Sequence, residues 1–220
     1  MAGHSVTMSQ IERSALWKQR VFEAAAGMTR YLTEHHGGRD HGDWLRLCAQ
    51  MFADLPDDAD SAGWQRIFFR AQALMERFLV TRYGHGELKG WADANAEVHR
   101  YVERDNGNGA LDPALRIARQ AELYSSEYRV PDAGSDRATI EIDRCGIWDY
   151  RERARARGVP ITLDSPCEYC THAIGANVAA KGFQSRYTLI DGANGHGCRW
   201  EITARTGAHT ISADESSCAE

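Results

Sequence analysis

A change of hydrophobic period near residue 131 is the feature that most constrains the fold of this chain. Before it, apolar residues recur three or four positions apart, most clearly between Trp64 and Leu79, which is helical spacing. Beyond it, Ala138, Ile140 and Ile142 alternate with polar residues, which is strand spacing. We therefore predict an α+β fold, in which a helical N-terminal half packs on a small antiparallel sheet with inserted helices.

Breaker residues suggest how the chain is divided. The run Asp105-Asn-Gly-Asn-Gly109 disfavours both helix and strand, which makes it the predicted joint between two parts. We predict a helical subdomain over residues 1–105, a cysteine-containing α+β domain over residues 110–205 and a polar tail over residues 206–220. At the start of the first part, Ser9 and Glu12 have the spacing of a capping box, which predicts a helix beginning there.

The charge and hydropathy of the chain exclude several classes of partner. With 26 Lys and Arg against 31 Asp and Glu, the net charge is −5, so no basic face favours nucleic acid. No apolar run approaches the roughly 18 residues of a membrane span, and the N-terminus lacks the pattern of a signal peptide. We predict a cytoplasmic protein with a small-molecule substrate and no nucleic-acid or membrane partner, and leave a homo-oligomer open.

One cationic run interrupts this acidic chain. Arg151-Glu-Arg-Ala-Arg-Ala-Arg157 places four arginines on alternate positions, and neighbouring acids dilute their charge. We interpret the run as a solvated helix face, and an anion-binding site is the alternative.

Four of the six cysteines lie between residues 145 and 200. They are Cys145 at the end of the predicted strand, Cys167 and Cys170 in a C-x-x-C pattern, and Cys198 in a glycine-led segment before Trp200. Because a cytosolic compartment keeps thiols reduced, packing, metal binding or catalysis is favoured over disulfide formation.

Cys167 has the strongest physical case for catalysis. Asp164-Ser165-Pro166 is typical of a helix start, which predicts Cys167 in the first turn. There the backbone amides and the helix dipole would favour the thiolate, which is the nucleophilic form. Cys170 shares a helix face with Cys167, and Asn177 lies two turns beyond Cys170, whereas His172 is rotated to the flank.

These patterns define a set of candidate site residues. The predicted catalytic residues are Cys167, Cys170, Cys145 and His172, and the predicted substrate-binding residues are Glu141, Asp143 and Asn177. Glu141 and Asp143 are expected on the same strand face as Cys145, where they would act as acid or base, or else face solvent.

A metal site is the competing use of the same cysteines. If the strand end, the helix start and the hairpin converge, four thiolates would bind zinc; the set is Cys145, Cys167, Cys170 and Cys198. The leading interpretation requires no cofactor. Burial beside Trp200 is an adequate explanation of Cys198. His196 in its glycine-rich loop would either complete a mixed metal site or be an exposed histidine, and we favour the exposed histidine.

At these residues the C-terminal half resembles the L-2-amino-thiazoline-4-carboxylic acid hydrolase family. The likeness covers roughly residues 110–205 and rests on a strand ending in Cys145, the helix start Pro166-Cys167, and Gly197-Cys198-Arg199-Trp200. Vinyl-reductase-type ligand-binding domains have a similar cysteine arrangement. The hydrolase-like sequences usually carry Asp three residues after the helix-opening cysteine, where this chain has Cys170.

The resemblance implies an enzyme that hydrolyses a C–N bond of a cyclic amidine-like or thiazoline-like small molecule. Cys167 would be the nucleophile or a thiolate that orients the substrate, with Cys170 modulating it or replacing the acid, and Cys145 and His172 lining the pocket. Two alternatives stay open. One is a zinc-dependent enzyme that uses the cysteine cluster, and the other is a non-enzymatic small-molecule binding domain of the vinyl-reductase type.

Overall fold

The computed structural model describes residues 6–192 and 195–205, and it confirms the predicted α+β architecture. Among the described residues, five α-helices and a short 3-10 helix (His85–Glu87) precede the sheet, and two further α-helices lie between its second and third strands. The helices are α1 (Gln10–His36), α2 (His41–Met51), α3 (Ser61–Tyr83), α4 (Leu88–Val102), α5 (Leu111–Leu123), α6 (Gly146–Ala156) and α7 (Glu168–Ala180). The strands are β1 (Glu127–Ala133), β2 (Arg137–Arg144), β3 (Phe183–Gly192) and β4 (Gly195–Ala204).

Local sequence signals explain several helix ends. The predicted capping box is present at α1, where the Ser9 side chain accepts from the Glu12 amide and the Glu12 carboxylate accepts from the Ser9 amide. Gly37, at a φ of 58°, ends the helix in the left-handed conformation that glycine tolerates best. None of the described helices has the length and apolar character needed to cross a bilayer.

All strand pairs of the sheet are antiparallel, and the strand order is β1-β2-β4-β3. The sequence did not predict β1, because Pro131 and the following residues are typical of a turn. Proline is tolerated here because β1 is an edge strand, and its register with β2 shifts between Arg129 and Asp132.

The helical half and the sheet half share buried residues through α7. Tyr169, near the start of α7, belongs to the same apolar cluster as Tyr31 of α1 and Trp44 of α2. Val178, near its end, packs instead with Ile140 and Trp200 of the sheet. As a result, α7 brings residues of the sheet half against α4, and a cavity lies between the two sets of elements.

Candidate active site

Three side chains form a hydrogen-bonded chain that begins at the cavity wall; Cys167 and His196 line the cavity, and Asp191 is exposed. Sγ of Cys167 lies 3.2 Å from Nε2 of His196. Nδ1 of the same imidazole lies 2.6 Å from Oδ1 of Asp191. A thiol, an imidazole and a carboxylate in this order have the geometry of a nucleophile, its general base and the group that orients the base.

The β3–β4 hairpin places the base and the carboxylate together. Asp191 and His196 are paired directly across the two strands, so their side chains meet on one face of the sheet. The ring of Trp148 stacks on His196 with 3.6 Å between ring centroids, which fixes the imidazole plane. His196 is 8% exposed, so the expectation of an exposed loop histidine was wrong.

Gly197 allows the hairpin to approach β2 closely. A Cβ added at Gly197 would lie 1.9 Å from the carbonyl oxygen of Ile142, which leaves no room for a side chain. One position earlier, the His196 carbonyl accepts a 2.8 Å hydrogen bond from the amide of Cys145. The backbone of His196 is therefore held between β3 and the end of β2.

The start of α7 is positioned from the helical half. Tyr169 stacks on Trp91 of α4, with 4.1 Å between ring centroids, and its hydroxyl accepts a 2.9 Å hydrogen bond from Nδ2 of Asn95. Glu168 contacts Nδ1 of His85 at 2.7 Å. These contacts hold the residue immediately before the helix, which is Cys167.

The expectation that the helix start favours the Cys167 thiolate was wrong. Cys167 is the residue before the first turn of α7, and its sulfur makes no capping hydrogen bond to the helix amides. Burial raises the pKa of this thiol to about 12, and the neighbouring Cys145 and Cys198 contribute in the same direction. At neutral pH the resting group is therefore a thiol, which needs His196 to remove its proton.

The three other cysteines of the cluster line the same cavity, whose volume is about 210 Å³. Burial raises the pKa of each of them: that of Cys198 to about 11, that of Cys145 above its ordinary value and that of Cys170 well above it. None of the five described cysteines forms a disulfide; they are Cys48, Cys145, Cys167, Cys170 and Cys198.

The structure brings only part of the predicted set to this cavity. Asn177 lines it, as do the predicted cysteines, whereas His172 lies outside the wall and is exposed. Its position on the helix flank explains this difference.

Glu141 and Asp143 also lie away from the cavity. Both carboxylates form ion pairs with Arg129 on the outer face of the sheet, and Glu141 also pairs with Arg199. Cys145 does not share their face, because β2 ends at Arg144 and the chain then turns into α6. The prediction extended the strand alternation of β2 by one residue, to Cys145, and was wrong at that residue.

The four cysteines do not form a compact set of metal ligands. Within residues 6–192 and 195–205, one group of three potential ligands has all its donor atoms within 4.8 Å of one another, and it is His85, Asp164 and Glu168. Four sulfurs that each lie about 2.3 Å from one zinc ion would also lie within 4.8 Å of one another, and the four thiols do not meet this criterion. The arrangement of the thiols therefore does not favour zinc.

Two members of the hydrogen-bonded chain were missed by the sequence reasoning. The alternation that places Cys198, Trp200 and Ile202 on one face also places His196 on that face, because all four are even-numbered positions of β4. Asp191 follows once the hairpin register is known. The glycines on either side of His196 are typical of a loop, and for this reason the sequence does not indicate that the strand already includes His196.

No protein-family model, curated protein or solved structure matches this chain. The family likeness therefore stays a prediction that rests on short motifs, and the site has to be interpreted from its own geometry.

Proposed function

We propose that this protein is a small-molecule hydrolase in which Cys167 attacks the amidine carbon of a cyclic amidine-like or thiazoline-like substrate. The observation that carries the proposal is the contact of Cys167 with His196, backed by Asp191, at the wall of a cavity of small-molecule size. The motif likeness supports the class of substrate. The proposed reaction requires neither a metal nor an organic cofactor.

The neutral thiol defines the first step. As Sγ of Cys167 bonds to the amidine carbon, Nε2 of His196 takes the thiol proton, and the π electrons of the C=N bond move to nitrogen. The imidazolium returns that proton to the substrate nitrogen. The C–N bond of the adduct then breaks as the retained nitrogen forms a C=N bond, and the proton that the retained nitrogen loses is passed through His196 to the leaving nitrogen. This frees an amine and leaves a thioimidate on Cys167.

Water completes the cycle. His196, again neutral, removes a proton from the water that adds to the thioimidate carbon. The hydroxyl proton of the adduct moves to the nitrogen, and a C=O bond forms as the S–C bond breaks. His196 gives its proton to the departing sulfur, and an amide is released. One water is consumed in total, and no oxidant or reductant is needed. Asp191 acts in both halves by orienting the imidazole and stabilising its charged form.

A direct test is ring opening of 2-amino-2-thiazoline and related cyclic amidines, followed by mass spectrometry as the gain of one water. We expect turnover by the wild type, loss of turnover in Cys167→Ala, and an adduct on Cys167 in acid-quenched samples. Cys48→Ala is the matched control, because Cys48 packs in the helical half and does not line the cavity. Turnover that persists in Cys167→Ala would exclude this mechanism.

A further inference from the structure

The cavity at Cys167 runs along the whole length of α7. The residues of this segment that line the cavity recur three or four positions apart, which places them on one helix face; they include Cys167, Cys170, Thr171, Ile174 and Val178. At about 1.5 Å per residue, the path from Cys167 to Val178 is about 16 Å long. A single five-membered ring held at Cys167 would occupy only one end of a cavity of this length.

The opposite wall is α5, which lines the cavity over an equal length. Its lining residues also lie on one helix face, and they include Pro113, Ile117, Ala121 and Tyr124. The cavity is therefore enclosed between two parallel ridges of side chains rather than confined to the neighbourhood of the thiol.

The two helices run in opposite directions, which defines the two ends of the cavity. The carbonyl of Tyr124, at the end of α5, lies so close to Gly146 that a Cβ there would be 2.1 Å from the oxygen, and Gly146 follows Cys145 of the site. At the other end, Arg116 near the start of α5 and Lys181 after the end of α7 both donate to the carbonyl oxygen of Glu103. Tyr124 thus marks the end with the reactive thiol, and Glu103 marks the distant end.

Most of the wall between these ends is apolar. The apolar side chains of α5, α7 and the sheet that line it include Ile117, Ala121, Ala173, Ile174, Ile142 and Trp200. Three arginines also border the cavity, and each is paired with a carboxylate. The pairs are Arg20 with Glu23 and Glu103, Arg116 with Asp105, and Arg151 with Glu76. Because these cations are neutralised within the protein, the wall favours an uncharged apolar occupant.

We propose that the substrate carries an uncharged apolar substituent several carbon atoms long, which extends from the reactive carbon at Cys167 into the cavity between α5 and α7. Naming Cys167 as the attacking group rests on the proposed function, whereas the place of the substituent rests on the two helix faces. Each methylene group that leaves water for this cavity should strengthen binding by up to about fourfold.

A homologous series of thiol reagents tests this proposal without knowledge of the substrate. N-methyl-, N-butyl- and N-hexyl-iodoacetamide have the same reactive carbon and differ in the length of the alkyl group. The rate of modification of Cys167 is followed by peptide mass spectrometry in the folded protein and in the urea-unfolded chain, and the ratio of the two rates removes the intrinsic reactivity of each reagent. We expect this ratio to rise with each added methylene, by up to about fourfold. A ratio that does not rise from the methyl to the hexyl reagent overturns the proposal.

A substitution on α7 tests whether the alkyl group lies between the helices. Ala173 lines the cavity about 9 Å from Cys167 along the helix axis, so Ala173→Phe should obstruct a long alkyl group and leave the N-methyl reagent little affected. Ala179→Phe adds the same ring to the same helix at an exposed position outside this cavity, and it should keep the preference for the hexyl reagent. A preference of wild-type size in Ala173→Phe would overturn the proposal.

A competition experiment on the wild type covers a variant that fails to fold. Hexanol should slow the modification of Cys167 by the N-hexyl reagent. Hexanediol at the same concentration should slow it much less, because its second hydroxyl would lose hydrogen bonds with water in an apolar cavity. Equal effects of the two alcohols would overturn the proposal.

Turnover separates this proposal from the proposed function. If the wild type opens cyclic amidines but opens alkyl-substituted ones no faster than unsubstituted ones, the apolar substituent is wrong and the hydrolysis stands. If no cyclic amidine is opened but the rate at Cys167 rises with alkyl length, the hydrolysis is wrong and the cavity stands as a binding site for an apolar group.

Discussion

Replacing His196 by alanine isolates the contribution of the proposed general base. In the variant no imidazole would take the proton of the Cys167 thiol, whose pKa burial and the neighbouring Cys145 and Cys198 raise to about 12. At pH 7 the thiolate fraction would be about 10⁻⁵, compared with about 0.03 for a thiol of pKa about 8.5. Alkylation by iodoacetamide should therefore be roughly three-thousandfold slower than in the unfolded chain.

The wild type should behave differently because the imidazole accepts the proton during the reaction. General bases typically contribute about 10² to 10⁴ in rate. We therefore expect Cys167 of the wild type to react roughly a hundredfold faster at pH 7 than in His196→Ala. The rate in the variant should rise about tenfold per pH unit as the thiolate fraction grows, so the two curves should converge in alkaline solution.

The assay is site-resolved alkylation between pH 6 and pH 10, with thermal unfolding as a check on folding. His172→Ala is the matched control, because His172 lies on α7 close to Cys167 in sequence but is exposed and outside the cavity wall. It should leave the rate unchanged. Superimposable pH curves for the wild type and His196→Ala would refute the role of the imidazole as a base.

Three further substitutions test other parts of the structure. Burial alone would raise the pKa of Glu23. The imidazole of His99 and the guanidinium of Arg20 outweigh this effect and lower the pKa from 4.5 to about 2. A depressed carboxyl pKa stabilises the fold above pH 4.5, by up to about 3 kcal/mol, and this stability is lost as the pH falls towards 2. Urea unfolding should show this loss in the wild type but a smaller one in Glu23→Gln, while the exposed Glu127→Gln should keep it; equal losses in all three would contradict the assignment. Gly197→Ala should destabilise the protein by about 1 to 3 kcal/mol because its Cβ would meet backbone, whereas Gly42→Ala, where a Cβ meets nothing within 4 Å, should not; equal urea midpoints would be inconsistent with the close approach. Asp191→Asn should slow Cys167 alkylation at pH 7 by less than tenfold, because that carboxylate is 85% exposed and water screens its charge. A decrease in rate as large as that of His196→Ala would contradict this screened role of the carboxylate.

The architecture was predictable because it follows from periodic patterns that repeat over many residues. The stripe along α3 and the alternation in β2 each involve several buried side chains, so no single residue decides the outcome. The strand β1 was missed for the opposite reason. Pro131 is a strong local signal for a turn, and only the edge position of β1 in the sheet makes it compatible with a strand.

The site was predicted less completely because it depends on contacts between distant elements. Cys167 was identified from a local helix signal, but the direction of its pKa shift is decided by burial, which the helix signal does not report. His172 is on the same helix as the cysteines but on its flank, whereas His196 reaches the thiol from a hairpin 29 residues away. Arg153, Arg155 and Arg157 are exposed, as predicted for a solvated helix face, whereas Arg151 pairs with the buried Glu76 at the cavity wall, a contact that the sequence pattern does not indicate.

The spacing of the three hydrogen-bonded residues has a consequence for how the site is assembled. Asp191 and His196 are five residues apart on one hairpin, and closing so short a loop is fast and costs little entropy. Cys167 reaches them only when α7 is docked, and that docking depends on Trp91 and Asn95 of α4. The helical half contributes none of the three hydrogen-bonded residues, yet it determines whether Cys167 meets His196. The reactivity of the Cys167 thiol therefore reports on the assembly of the whole fold.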